Sequence, residues 1–396
     1  MFEPLCITGA GVVSAIGIGK SDTLTSLLEG RSGIGQMQYL PSRHRELPVG
    51  EVHHSNEEMM QMLGISDDGF ITRTALLGRL ALREALQEAH LSASELSTIP
   101  FISATTVGGM DRRELNHTKE LDGGADIAAI ATHNCADCTE MIAAQFGSFA
   151  SLSTISTACS SATNAIITGA NMLRCGLADI VVVGGAECLS MFHLNGFNTL
   201  MILDSRPCRP FDSDRAGLNL GEGAAYLVLE TSASARQRGV EPLCYLKGYG
   251  NACDAYHQTA SSPEGIGAIR AMEEALQMAS LQPNDIQYIN AHGTGTPNND
   301  ESESHAIVHV FGADYPPVSS TKSFTGHTTS ASGSIEVVFC ILALQNQFLP
   351  VNLNWQKPME NGIIPMTRQQ PMKPIKNILS NAFGFGGNDS SLILSK

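Results

Sequence analysis

Positive charge is scarce in this chain. Its 396 residues carry 24 lysines and arginines against 39 aspartates and glutamates, a formal net charge of −15. That sign disfavours nucleic acid as a partner, and an acidic protein partner would need a local basic patch. Long apolar runs are also missing. The longest, Val337 to Leu344, is too short to cross a bilayer. The opening Met1-Phe2-Glu3-Pro4 lacks the basic segment of a secretory signal. Of the ten cysteines only Cys135 and Cys138 form a Cys-x-x-Cys pair, with His133 nearby. No second pair completes a zinc site, so no metal is expected, and scattered thiols suit a reducing cytoplasm better than a disulfide framework. Leu5 to Gly17 is glycine-rich but lacks the G-x-G-x-x-G spacing and its acidic partner, which excludes a dinucleotide loop.

A hydrophobic content of 43% with 16% charge fits a large buried core, long enough for two domains or one fused pair. Apolar strand-like runs alternate with helical periods in both halves, which predicts an α/β fold with mainly parallel sheets covered by helices. Helical period covers 73–90, strand patterning 98–105, and 111–150 is a long polar excursion with helical segments. The halves echo each other. Glu84-Ala85-Leu86-Gln87 recurs as Glu274-Ala275-Leu276-Gln277, Ile102-Ser103-Ala104 as Ile289-Asn290-Ala291, and Val182-Val183-Gly184-Gly185 has a counterpart at the strand before Gly384-Phe385-Gly386-Gly387. The common offset points to a duplicated unit, with residues 1–240 as one half and 241–396 as the other. Ligands in such folds bind at the carboxyl ends of strands.

Ser156-Thr157-Ala158-Cys159-Ser160-Ser161 falls between a strand-like approach and a helical run. A helix N-terminus favours thiolate and offers N–H groups to an oxyanion, so Cys159 reads as a nucleophile; a buried cysteine is equally a small inert hydrophobe. His292, in Asn290 to Pro297, and His327, in Ser320 to His327, sit in glycine-flanked polar loops at strand ends. One cysteine with sequence-distant histidines is the pattern of a thiol nucleophile with acid/base or oxyanion partners.

The motifs Thr157 to Ser161, Arg209-Pro210-Phe211-Asp212, Gly221 to Ala224, Asp254 to His257, His292 to Pro297 with Asp300, Lys322 to His327, Glu336 and Asn381 to Gly387 occur in this order. Together they resemble a β-ketoacyl-[acyl-carrier-protein] synthase of the elongating (I/II) type. The resemblance covers essentially the whole chain and implies a thiolase-like fold, two βα halves packed as a five-layer αβαβα sandwich. It implies decarboxylative condensation of an acyl thioester with malonyl-carrier protein, without a bound cofactor or metal, the substrate riding on the phosphopantetheine arm of acyl carrier protein.

By the same resemblance Cys159 accepts the acyl group, while His292 and His327 donate to the enolate. The backbone N–H groups of Cys159 and Phe385 form the oxyanion hole. Phe385, between Gly384 and Gly386, gates the acyl side; Lys322 with Glu336 orients the histidines; and Asp300 and Glu303 support the loop. Val107, Phe197 and a partner-subunit segment corresponding to 131–141, polar here, line the acyl pocket.

Two histidines argue against an initiating synthase, and a thiolase would need a second catalytic cysteine. Cys159 argues against a silent chain-length-factor-like subunit. The resemblance extends to polyketide and aryl-polyene enzymes as much as to housekeeping fatty acid synthase II, and implies a homodimer or a heterodimer with a chain-length-factor-like partner. Gly386-Gly387-Asn388-Asp389 departs from the usual Gly-Gly-Thr-Asn. The acidic carrier would dock on Arg73, Arg79, Arg83, Arg206 and Arg209, yet Met201 stands where the fatty-acid enzymes place a docking arginine.

Overall fold

Two sets of five strands, each in the same order, make up the sheet. We describe a computed structural model over residues 3–66, 69–121, 132, 134–369 and 374–396. The first set is β1 (Leu5–Ser14), β2 (Pro100–Ala104), β3 (Ser151–Ile155), β4 (Ile180–Glu187) and β5 (Gly223–Glu230). The second is β6 (Cys244–Cys253), β7 (Tyr288–Asn290), β8 (Val318–Ser319), β9 (Asn377–Gly384) and β10 (Asn388–Ser395). A two-residue strand, Gly17–Ile18, pairs with the end of β1. The order runs β3-β2-β4-β5-β1 and continues β6-β10-β9-β7-β8. Counted from its outer edge, the second set repeats the first strand for strand. The sets meet where Leu5, Cys6 and Ile7 pair with Leu246, Tyr245 and Cys244.

The sheet is mixed, which corrects the expectation of mainly parallel pairing. β2 is parallel to β3 and β4, and β7 to β8 and β9. The β4–β5, β5–β1, β1–β6, β6–β10 and β10–β9 pairs are antiparallel. The reason is local for β9 and β10: only Phe385, Gly386 and Gly387 separate them, and so short a link closes only an antiparallel hairpin.

Six helices matter here: α1 (Arg73–Glu88), α2 (Ser161–Arg174), α3 (Met191–Thr199), α4 (Ile266–Ala279), α5 (Pro297–Phe311) and α6 (Ser332–Asn346). The sequence echoes fall on equivalent elements, α1 with α4, β2 with β7, and β4 with β9. The glycines that mimic a nucleotide loop have a packing role. A Cβ on Gly9 or Gly11 would lie 2.3 or 2.1 Å from the Ala85 or Ala81 carbonyl oxygen of α1; Gly248 and Gly250 meet Ala275 and Ala271 of α4 at the same two distances. Each sheet half thus lets its outer helix press onto bare backbone.

Between the halves lie α2 and α6, and every residue from Ser332 to Leu344 is buried. The apolar side chains of that stretch contribute roughly 1.5–3 kcal/mol each on burial. One core joins α2 and α6 to both halves, a second lies under α1 and a third under α4. The layers are therefore α1, β1–β5, α2 with α6, β6–β10, and α4, the thiolase-like αβαβα arrangement. Among the described residues no helix is long and apolar enough to cross a membrane.

Candidate active site

Strand ends from both halves converge on one cavity. β3 leads to Cys159, β7 to His292, β8 to Lys322 and His327, and β9 to Phe385. A cavity of about 300 Å³ is lined by Cys159, His292, His327, Phe197, Phe383 and Phe385 among others. The three residues singled out from the sequence therefore meet although Cys159 lies 133 positions from His292 and 168 from His327.

Cys159 lies in the turn between β3 and α2. Ala158 takes a positive φ of 53°, a conformation that costs a non-glycine residue about 1–3 kcal/mol. Ser161 holds the turn: its hydroxyl accepts from Thr157 N–H at 2.8 Å and donates to the Ala158 carbonyl at 2.6 Å. The helix end does not make the sulfur a resting thiolate, which corrects the sequence expectation. Burial raises its pKa to about 11, against the pull of Lys322 and of the backbone N–H groups of Phe385 and Cys159. Desolvation of a buried anion outweighs these partners. Those two N–H groups are the pair named from the resemblance as an oxyanion hole.

The two imidazoles stand edge to face, 5.4 Å between centroids at 83°. Lys322 Nζ lies 3.2 Å from His292 Nδ1 and 2.7 Å from Glu336 Oε1, all buried. An ammonium only donates, so His292 Nδ1 accepts and Nε2 carries the ring proton. His327 is held by its backbone N–H, which donates to the Asn219 carbonyl at 2.7 Å, and by Ser332 Oγ, 3.0 Å from Nδ1 of the ring. Burial first, and then Lys322, push both imidazoles well below the ordinary histidine pKa. Both are neutral at pH 7.

Glu303 accepts the backbone N–H groups of His292 and Gly293 at 2.8 and 2.7 Å, and burial raises its pKa to about 7. Asp300 accepts from Phe211 and Gly295 N–H at 2.7 and 3.1 Å, and so holds the downstream part of the same loop. Glu336 is pushed up by burial and partly restored by Lys322.

Phe385 sits at the tip of the β9–β10 hairpin, with Gly386 and Gly387 at φ of 84° and 77°. Its ring stacks on Phe197 at 5.8 Å. Asn388, in place of the usual threonine, ties the hairpin to the Cys159 turn: its Oδ1 accepts from Ser160 Oγ at 2.7 Å and Asn164 Nδ2 at 2.6 Å. Asp389, in place of asparagine, is buried, and burial with Asp254 and Glu303 nearby raises its pKa to about 8.

Other expectations fare unevenly. Val107 is buried near the site, its N–H donating to Glu187 at 3.2 Å, but does not line the open cavity. Ala131 and His133 lie outside the described residues, while Cys138 and Thr139 turn into this chain's own core, Thr139 Oγ1 lying 2.7 Å from Thr154 Oγ1. Arg73 is no docking residue. It is buried and ion-paired with Glu222 at 2.6 Å. Arg209 is paired with Asp204 at 2.8 Å, and Arg83 donates to the Met62 carbonyl at 2.6 Å. Met201, by contrast, is 86% exposed.

Sequence reasoning missed Ser332, Glu187 and His193. Glu187 ends the otherwise apolar β4, a position where a buried charge needs partners, and that was a readable signal. Ser332, five residues after His327, carried none. His193 sits among apolar neighbours and looks like a core residue.

Comparison with known proteins agrees over the whole length. The family model described as Beta-ketoacyl synthase, N-terminal domain, matches residues 2–235, and that for the C-terminal domain matches residues 243–356. The chain is 32% identical to a 3-oxoacyl-[acyl-carrier-protein] synthase 2 of Staphylococcus aureus, over 98% of this chain and 97% of the relative. Identity to the protein of the same name in Synechocystis is 33%, over 98% and 97%. Among solved structures, the ishigamide ketosynthase/chain length factor superposes with a TM-score of 0.93 at 29% identity, covering all of both chains. The ketosynthase ApeO in complex with its chain length factor ApeC, from Xenorhabdus doucetiae, gives 0.84 at 31%, again over all of both chains.

Proposed function

The chain belongs to the β-ketoacyl synthase family, and from that premise we propose that it extends carrier-bound acyl chains by decarboxylative Claisen condensation, giving a 3-oxoacyl-carrier protein. One observation carries the assignment of roles. Two neutral imidazoles, 5.4 Å apart and nearly perpendicular, share a cavity with a buried cysteine whose sulfur receives the Phe385 backbone N–H.

In the first half-reaction Cys159 attacks the acyl thioester. With its pKa near 11 the thiol must lose a proton as it attacks, and His327 is the base at hand: Ser332 Oγ can donate to or accept from its Nδ1, so its ring proton can sit on either nitrogen, whereas His292 has Nδ1 occupied by Lys322 and its proton on Nε2. The carbonyl oxygen gains charge facing the N–H groups of Cys159 and Phe385, and the pantetheine thiol leaves with the proton. In the second, malonyl-carrier protein loses CO2 and its thioester oxygen becomes an enolate oxygen. His292 Nε2–H, with its tautomer set by Lys322, and His327 donate to that oxygen. The enolate carbon attacks the Cys159 thioester, and the thiolate leaves under the field of Lys322. Lys322 is a positioning residue, and its charge also keeps both rings neutral. Phe385 separates the acyl side from the malonyl side by its stack on Phe197, and the positive φ of Gly386 and Gly387, which follow it, permits it to swing. Residues 1–240 supply the nucleophile and 241–396 the histidines.

The substrate arrives on the arm of an acyl carrier protein, and no further cofactor is required by these steps. We assign the chain to specialised polyketide or aryl-polyene elongation rather than housekeeping fatty acid synthesis. The exposed Met201 and the buried Arg73 support this, because both remove positive charge from the expected docking face. A dimer, with a second copy or a chain-length-factor-like subunit, and a cytoplasmic setting follow from the same reading. Incubating purified protein with acyl- and malonyl-carrier proteins and following Cys159 acylation and 3-oxoacyl product by intact mass tests the proposal. Absence of acylation with every carrier tried would overturn it.

A further inference from the structure

The two N–H groups that face the Cys159 sulfur come from elements the chain does not join locally. One belongs to the turn between β3 and α2, the other to Phe385 at the tip of the β9–β10 hairpin, 226 residues on. Two donors serve one oxyanion only when both lie within about 2.7–3.1 Å of it, so the spacing of turn and hairpin is itself part of the site. The hairpin tip cannot hold that spacing alone. Gly386 and Gly387, both at positive φ, leave it soft enough for Phe385 to swing, and its base has to be fixed from elsewhere.

Asn388, the first residue of β10, supplies that fixture. It pairs with Gly384 across the base of the hairpin, with only Phe385, Gly386 and Gly387 between them. Its Oδ1 accepts from Ser160 Oγ at 2.7 Å, next to Cys159, and from Asn164 Nδ2 at 2.6 Å, in the first turn of α2. Asn251 Nδ2, on β6, reaches the same oxygen at 3.2 Å. The Ser160 hydroxyl also lies 2.8 Å from the Thr157 carbonyl, so it braces turn and hairpin together. A Cβ on Gly384 would lie 2.9 Å from the Thr157 carbonyl oxygen and 3.0 Å from Ser160 Oγ, so bare backbone brings the two elements close. That contact has no direction; the hydrogen bonds on Asn388 do. An amide oxygen gathers these donors without a proton of its own to place, which a threonine hydroxyl would add.

We propose that Asn388 is a positioning residue for the oxyanion hole: its Oδ1 sets the spacing of the Cys159 and Phe385 N–H groups. The inference rests on the condensation reading. In that reading acylation of Cys159 and attack on the acyl-enzyme both place charge in the hole, whereas malonyl decarboxylation places it opposite His292 and His327. A change at Asn388 therefore separates steps that share one cavity.

The test reads those steps apart. Asn388→Leu keeps the approximate shape and removes the acceptor. It is expected to slow Cys159 acylation, followed by intact mass, about tenfold or more. Malonyl decarboxylation, timed in a Cys159→Gln background where no acyl-enzyme forms, should fall by no more than about twofold. Ser160→Ala removes the other end of the bond and should slow acylation in the same selective way, which carries the test if the Leu variant does not fold. Because both changes act through one bond, the double variant should be little slower than Asn388→Leu alone. A residue that only holds the fold together would lower both activities in step. Equal loss of the two activities, wild-type acylation in the folded variants, or effects that multiply in the double variant would overturn this inference and leave the condensation reading standing. Absence of acylation of the wild type by every carrier overturns that reading as well.

Discussion

The side-chain nitrogen of Lys322 lies 3.2 Å from Nδ1 of His292, with Lys322 only 1% exposed. This contact dictates which nitrogen of the imidazole carries its proton, and the same charge opposes a second proton on either ring. Lys322→Ala is therefore expected to slow malonyl decarboxylation by about 10²-fold or more and to introduce an acid limb in its pH profile as His292 regains a more ordinary pKa. The variant also strands buried Glu336, at a cost of roughly 3–5 kcal/mol. Lys322→Met combined with Glu336→Leu removes that penalty, so a slow, acid-sensitive decarboxylation in the folded double variant isolates the electrostatic role.

Cys159→Ala should abolish the acyl-enzyme seen by intact mass, and Cys159→Gln should retain malonyl decarboxylation because both histidines remain. Persistent covalent acylation of the Ala variant would remove Cys159 from the mechanism. Since burial lifts the thiol to about 11, alkylation by iodoacetamide should keep accelerating between pH 7 and 10. A plateau below pH 8 would instead indicate a resting thiolate.

Malonyl decarboxylation by the wild type should hold its rate as pH falls through 6.5, since both imidazoles stay neutral there. Stability should move the other way. The folded histidines refuse protons that the unfolded chain accepts, so their contribution is complete above the unfolded pKa of about 6.5 and is lost as pH falls below it. Denaturant midpoints measured between pH 8 and 5 check both halves of the statement.

Folding raises the Asp389 pKa from 3.8 to about 8. A group raised in this way contributes stability below its unfolded pKa and loses it as pH rises toward the folded one. Asp389→Asn removes the titration. The variant should be more stable than the wild type at pH 8.5, by on the order of 1 kcal/mol or more, with the gap shrinking toward pH 5. A gap that does not change with pH would place the proton elsewhere in the Asp254, Glu303 and Asp389 group.

Carrier docking should be weakly electrostatic. Housekeeping carrier protein is expected to be used poorly, and condensation with the cognate carrier to change little with salt. Met201→Arg should improve use of the acidic housekeeping carrier several-fold at low ionic strength and make it salt-sensitive. Equal use of both carriers by the wild type, with a steep fall in salt, would mean an ordinary basic patch.

Much of this was legible in the chain itself. Cys159, His292, Lys322 and His327 stand in short motifs where glycine, proline and polar residues are spaced by turn chemistry, which is local and survives in sequence. The duplication was legible because each half needs the same small residues where helix meets strand, as at Gly9 and Gly11 and again at Gly248 and Gly250. What only the tertiary structure decided is whatever depends on burial and on partners distant in the chain. The thiol of Cys159 is raised because the fold removes water around it, and no motif records that. Arg73 looks like an exposed base on a helix until Glu222, 149 residues away, closes on it. Glu187 and His193 become a polar cluster only when β4, α3 and the loop after β2 are stacked. Pairing direction, too, was settled by chain return through the Phe385-Gly386-Gly387 hairpin, since an apolar run has the same pattern whichever way its neighbour points.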